Sequence, residues 1–545
     1  MKIVNKHSGH RSQSSLFWIL IASIALIIGV LLGNAGAVQV LQASWDSIER
    51  RLTLLAPASA LPQLTADIDF EDYSQLLDER QDALAQGIIF PEGSTFVPAD
   101  FQSANSTVPV WIRLLPGAAE HLGTNDKWNF EIMSRDEATI DGQSHANLID
   151  PADNNWLYEW AFLESLRRED LLAGNYQFVR LILNGDDRGT YALQENPYPL
   201  FMSGEDPTSG KVVITYDVEP LLEAISYFGS EGSAVADPVS NLASNDPRFL
   251  QISEINDPII TDNEILSRQA DRGIALLRGL QSGDLNATEV FDAQKYGRFL
   301  ALVDLWGAGE ALSPLNLRYA YDSETDRLEP IALNGNPFED TYRVPSEAMY
   351  QDPQIQAAYA AAVNKFSDPE YLKNLREALE TSYITLDNAL APEAGHAHLW
   401  DNLSNRQEQL RLSLHPTQPI IAQLGSPSLA QEAIIRVHIA NALNLPIEIL
   451  GFDIDGATFL ESNQEWIVDG ESFYEIVDGH IVLEPISSEK TGLRFVTFDL
   501  PVTEIIKQDK ELDFLNEIEI QVATSVLGLD NTQLTPASPG LLDNQ

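Results

Sequence analysis

The stretch KWNFEI, Lys127 to Ile132, opens the run to Glu195 on which the reading of this chain turns. Trp128, Phe130 and Ile132 alternate with polar neighbours, which puts them on one face of a strand. A turn at Asp141-Gly142 follows, and then NNWLYEWAFLESLRRED, Asn154 to Asp170, whose apolar spacing predicts a helix. YQFVRLILNG and GTYALQEN read as two strands joined at Asp186-Asp187-Arg188, a hairpin signal. The order is a strand with a lysine, a helix with a glutamate, and a hairpin.

Composition bounds what this run can belong to. At 545 residues the chain has room for two or three domains with full cores. Its 33 Lys and Arg against 81 Asp and Glu give a net charge of −48. Such a surface repels nucleic acid and anionic lipid, and it admits a nucleotide only through a metal or a local basic pocket. The chain holds 0 cysteines, which excludes disulfides, thiolate zinc sites and cysteine nucleophiles.

Lys2, Lys6 and Arg11 precede an uncharged stretch from Ser12 to Trp45 whose apolar heart is Leu16 to Gly33. That length suits a bilayer span, and basic residues on its N-terminal side place the N-terminus in the cytoplasm. The expectation is a cytoplasmic segment 1–14, an anchor 15–37 and a linker 38–62, with the bulk of a single-pass membrane protein extracytoplasmic. A cleaved signal peptide ending near Ala35-Gly36-Ala37 is the rival, and would make the protein secreted.

Past the linker, Ile68 to Gly87 reads as a strand passing into a helix, and VPVWIRLL, Val108 to Leu115, as a half-buried strand. After Glu195, Asn196-Pro197-Tyr198-Pro199 interrupts regular structure. GKVVITYDVEP, Gly210 to Pro220, reads as a strand, Ala234 to Pro258 as loop, and helical periodicity runs from Asn263 to Gly283 and from Ala293 to Leu312. Asp352-Pro353 and Asp368-Pro369 are helix starts with proline in the first turn. His396 and His398 have a spacing that can chelate zinc, but no third ligand accompanies them. From Pro416 the period switches to two, predicting an antiparallel, sandwich-like β domain over 416–530. Residues 531–545 read as a disordered tail.

Between these flanks, 63–415 resembles the CotH kinase family, the spore-coat protein H-like atypical protein kinases, as a divergent member. The resemblance rests on Arg113-Leu114-Leu115-Pro116-Gly117, on Lys127-Trp128-Asn129-Phe130, and on Asn184-Gly185 through Gly189-Thr190-Tyr191 to Glu195. It implies an α+β, two-lobed, protein-kinase-like domain that uses ATP with Mg²⁺ or Mn²⁺ on a protein substrate. It further implies that Lys127 grips nucleotide phosphates and is oriented by Glu159, or by Glu164 as second choice. Arg113 and Glu195 would join Lys127 around the nucleotide.

The segment Asp304 to Phe338 departs from that pattern. Two strands, LRYAY and LEPIAL, flank a turn at Asp322 to Arg327. Asn316 matches the asparagine of a kinase-like catalytic loop, but Ala311 and Leu312 stand where the catalytic Asp is expected. Glu310 or Asp304 would have to substitute. The metal-binding Asp-x-Asp is replaced by Asn334-Gly335-Asn336, with Glu339 and Asp340 just beyond. The metal set would then be Asn316, Asn334 and Asn336, and amides hold Mg²⁺ less well than carboxylates. Two functions follow: a membrane-anchored extracytoplasmic kinase-like protein with impaired phosphoryl transfer, or an inactive pseudokinase-like module for binding, scaffolding or cell-surface assembly.

Overall fold

Hydrophobic alternation closes the N-terminal strands into a barrel. The computed structural model describes residues 61–103, 107–118, 122, 127–135, 139–140, 142–201, 210–220, 222–223, 250–313, 316–338, 352–425, 434–486, 493–501 and 518–539. Seven strands run β1 (Gln63–Asp67), β2 (Val97–Gln102), β3 (Thr107–Leu114), β4 (Phe130–Ser134), β5 (His145–Ile149), β6 (Tyr176–Leu183) and β7 (Asp186–Glu195). They form a closed barrel in the order β1-β2-β3-β4-β5-β7-β6, sealed by parallel pairing of Gln63 with Arg180. Every second residue of β3 is buried, so Val108, Val110, Ile112 and Leu114 fill the interior. Helix α1 (Phe70–Gln86) covers it with Leu76 and Ala83 and ends at Gly87, whose φ of +78° suits a left-handed cap.

The hairpin β6–β7 is buried on both faces. Val179, Leu181, Tyr191 and Leu193 point into the barrel, while Tyr176, Phe178 and Ala192 join the second core. There they meet helix α2 (Leu157–Arg168), which buries Glu159, Trp160, Ala161, Phe162, Leu163 and Leu166. Beyond it lies a sheet of β8 (Lys211–Ile214), β9 (Arg318–Asp322) and β10 (Arg327–Ala332), extended at its edges by Leu200–Phe201 and Leu172–Ala173. Helices α3 (Glu264–Ser282), α4 (Ala293–Trp306), α5 (Pro353–Phe366), α6 (Pro369–Ala394) and α7 (Leu399–Leu414) pack around that sheet. Asp352 and Asp368 cap α5 and α6 by accepting N–H groups of Gln354 and Glu370 at 2.9 and 2.8 Å.

The residues after Pro416 form two sheets. Phe452 on Ile447–Ile454 meets Phe498 on Phe495–Pro501 edge-on, with centroids 5.4 Å apart across them. Their core is continuous with that of α4 and α5. Gly528 lies so close to α5 that a Cβ there would stand 2.3 Å from the carbonyl of Ala357. Within the stretch expected to be a tail, Gln533–Pro536 forms a strand on Ile520–Val526, because Thr535 is buried there. No described helix is long and apolar enough to cross a membrane; the segment 15–37 lies outside the described residues. The protein is thus a mixed α+β fold with several sheets, one a closed seven-stranded barrel.

Candidate functional site

Lys127 lies three residues before β4 begins, so the strand expected from Lys127 starts at Phe130 instead. Tyr191 fixes this approach: its hydroxyl donates to the carbonyl of Trp128 at 3.1 Å and accepts the N–H of Trp128 at 3.0 Å. The Lys127 ammonium then reaches the carbonyl of Thr190 at 3.1 Å, Oε2 of Glu393 at 3.2 Å and Oδ1 of Asp150 at 3.4 Å. It also stands 5.3 Å from the centre of the Trp156 ring. Glu159 is not among its partners. The expected Lys127–Glu159 pair is therefore corrected to Lys127–Asp150 and Lys127–Glu393.

Glu159 does something else. Its side chain is 0% exposed and receives two backbone N–H groups at 3.0 Å, from Gly335 on Oε1 and Asn336 on Oε2. Gly335 is required for this approach, since a Cβ would lie 2.6 Å from the Phe162 ring one turn along α2. The loop there is strained. Asn334, Asn336 and Phe338 all have positive φ, at 47°, 45° and 64°. Asparagine tolerates that region better than most residues, phenylalanine poorly. Phe338 is held by rings of Tyr158 and Trp306, with centroids 5.7 and 6.2 Å away. Burial pushes the Glu159 carboxyl up to about 7, helped by Glu310 and opposed by the two N–H donors.

Around this loop the amides bond one another. Asn334 Oδ1 accepts from Asn154 Nδ2 at 2.8 Å, and Asn334 Nδ2 donates to Asn316 Oδ1 at 3.3 Å. Asn316 Nδ2 donates to the carbonyls of Glu310 at 3.1 Å and Asn334 at 3.3 Å. Asn336 Nδ2 donates to Glu310 Oε1 at 3.2 Å. Glu159, Glu310, Asn316, Asn334 and Asn336, distant in sequence, therefore converge on one place. Lys127 is linked to it through the turn that Asp150 caps at Pro151–Asn154.

The donor set does not fit Mg²⁺ or Mn²⁺. Asn316 and Asn334 spend their side-chain oxygens on each other and on Asn154, and Asn336 turns its Nδ2 to Glu310. Glu159 turns its oxygens to backbone N–H groups, leaving the Glu310 carboxylate, which already accepts from Asn336. Among the described residues no cluster of three or more His, Cys, Asp and Glu could hold a metal. Glu339 and Asp340 lie outside the described residues. His396 bonds Asp387 through Nδ1 at 2.7 Å and is largely exposed.

Other expected residues are engaged elsewhere. Arg113 pairs with Glu131 at 2.7 Å, and Glu131 also accepts from His145 at 2.7 Å. Burial alone would raise the Glu131 carboxyl, but His145 and Arg113 outweigh it and hold the group low. Glu195 accepts the N–H of Asn175 at 2.9 Å. Neither Arg113 nor Glu195 bonds to Lys127. Asp304, the alternative to Glu310, is locked by Arg406 and by Tyr359 at 2.5 Å. Glu164 pairs with Arg167 on its own helix at 2.8 Å.

Asp150, Thr190, Trp156, Gly335 and Glu393 have no site role in the sequence reading. Asp150-Pro151 carries the same cap signal as Asp352-Pro353 and could have been found. Glu393 could not, because 266 residues separate it from Lys127. Buried Tyr176 also belongs here: its hydroxyl has no hydrogen-bond partner among the described residues, and burial with the charges of Glu159, Asp150 and Asp153 drives its ionisation well upward. No family model matches the chain, and no curated protein matches it.

Proposed function

We propose that the protein is a divergent CotH-like, kinase-derived module, anchored by 15–37 with its bulk outside the cytoplasm, that binds nucleotide weakly and transfers phosphoryl groups slowly or not at all. The observation that carries this reading is the convergence of Glu159, Glu310, Asn316, Asn334 and Asn336, with Lys127 joined to them through Asp150 and Asn154. A two-lobed kinase-like arrangement would bring together these elements: the lysine before a barrel strand, the following helix, the asparagine before β9 and the loop after β10.

In this reading Lys127 supplies the positive charge for the nucleotide phosphates, and Trp156 and Asp150 hold its ammonium in place. Glu159 is a positioning residue: it fixes the backbone of Gly335 and Asn336 and so sets where the Asn334 and Asn336 side chains stand. Phosphoryl transfer depends on positioning and on neutralising charge at the phosphates. With amides at the metal positions that neutralisation is weak, so the working property is binding, for scaffolding or surface assembly with a protein partner.

The test is a phosphotransfer time course with γ-labelled ATP on the wild type and on Asn334→Asp/Asn336→Asp. Slow or undetectable transfer in the wild type agrees with the reading. Vigorous metal-dependent transfer rejects the impairment and points to Glu339 or Asp340 as ligands. The N-terminal mass of membrane-extracted protein tests the anchor; a mature start near Val38 contradicts it.

A further inference from the structure

Glu393 stands where an anionic ligand would. It sits in the last turn of α6, next to the Gly395 cap, and that turn carries no basic residue. A carboxylate at this end faces the negative pole of the helix dipole and is disfavoured there. What holds it comes from the barrel. Oε1 accepts the Thr190 hydroxyl at 2.8 Å and the Thr190 N–H at 3.2 Å, and Oε2 accepts the same N–H at 3.3 Å and the Lys127 ammonium at 3.2 Å. Gly189, at φ +82°, clears the approach: a Cβ there would lie 3.3 Å from Oε2.

We propose that Lys127 Nζ, with the N–H and hydroxyl of Thr190, forms an oxyanion seat for a phosphoryl group, and that Glu393 is its intramolecular occupant, displaced when ligand binds. A backbone N–H, a hydroxyl and an ammonium converging on one oxyanion is a donor set that serves phosphate as well as carboxylate. The contact can open. Lys127 and Glu393 keep 18% and 26% of their side-chain surface exposed, so solvent and a small anion can reach the pair. The phosphoryl identity of the ligand rests on the kinase-like reading; the seat itself rests on the four contacts.

The experiment titrates the full-length protein with sodium pyrophosphate in a calorimeter, for the wild type, Glu393→Gln and Glu393→Ala. Removing the occupant's charge should tighten binding by about tenfold or more. Adding Thr190→Val to Glu393→Gln should weaken it again. If folded Glu393 variants bind pyrophosphate as the wild type does, Glu393 is only a tether between α6 and the barrel, and the proposal falls. Should both variants fail to fold, wild-type protein decides: pyrophosphate must protect Lys127 from amine acylation, read by mass spectrometry, and absence of protection overturns the seat. ATP separates the two readings. Tighter pyrophosphate binding with no ATP binding keeps the seat and rejects the nucleotide reading. ATP binding that needs Lys127 yet ignores Glu393 keeps the nucleotide reading and rejects the occupant.

Discussion

The carboxylate of Glu159 and the backbone N–H of Gly335 meet at 3.0 Å although 176 residues separate them. The contact joins the helix after the barrel's fifth strand to the loop after β10, so the geometry of the Asn334–Asn336 segment depends on one fully buried acid.

That acid makes stability depend on pH. Its carboxyl is raised from an ordinary 4.5 to about 7 by burial, with Glu310 adding to the shift. The folded state therefore holds a proton that the unfolded state releases between these values. The stabilisation is fully present below 4.5 and is lost as pH rises through 7, amounting to roughly 3 kcal/mol. Urea unfolding between pH 4.5 and 8 should show this loss in the wild type and a flatter profile in Glu159→Gln. Equal slopes in the two proteins would contradict it.

Gly335→Ala is expected to destabilise the fold, against the usual benefit of replacing glycine. The added methyl would lie 2.6 Å from the ring of Phe162 and 3.0 Å from Cβ of Ala308. Overpacking of this kind costs about 1–3 kcal/mol, and displacement of the loop would also free the Glu159 oxygens. Denaturant midpoints check it; an unchanged midpoint would mean that the loop moves freely.

Asn336→Asp should turn an amide network into a cation-dependent one. Asn336 Nδ2 now donates to Glu310 at 3.2 Å, and the aspartate would instead set two carboxylates against each other. In chelator the variant should lose about 1–3 kcal/mol, and Mn²⁺ should restore its melting temperature. The wild type should melt alike with and without Mn²⁺. A wild-type shift on adding Mn²⁺ would show carboxylates beyond Phe338 at work.

Much of this was legible in the sequence because it is local. The hairpin after Tyr176, the caps at Asp352 and Asp368, and the switch to period two after Pro416 all follow from neighbours within a few residues, although the hairpin turns at Asn184-Gly185 and not at Asp186-Asp187-Arg188, which already belong to β7. Glu159 is legible too, as a charge set among Trp156, Trp160 and Phe162. Its partners are not, since they are backbone N–H groups of a distant loop, and a pairing with Lys127 was the natural but mistaken expectation. Closure of the barrel was hidden for the same reason: Gln63 pairs with Arg180 in parallel, and neither strand's alternation names its neighbour. Glu393, near the end of a long helix, carried no mark of its contact with Lys127.

Under the proposed function, Lys127 binds nucleotide without help from a divalent ion. Titrating the full-length protein and its Lys127→Ala variant with ATP, with Mg²⁺ and then with chelator, tests it most directly. Weak binding of similar strength in both conditions, lost in Lys127→Ala, is the predicted result. ATP binding that survives Lys127→Ala, or that appears only with Mg²⁺, would contradict it.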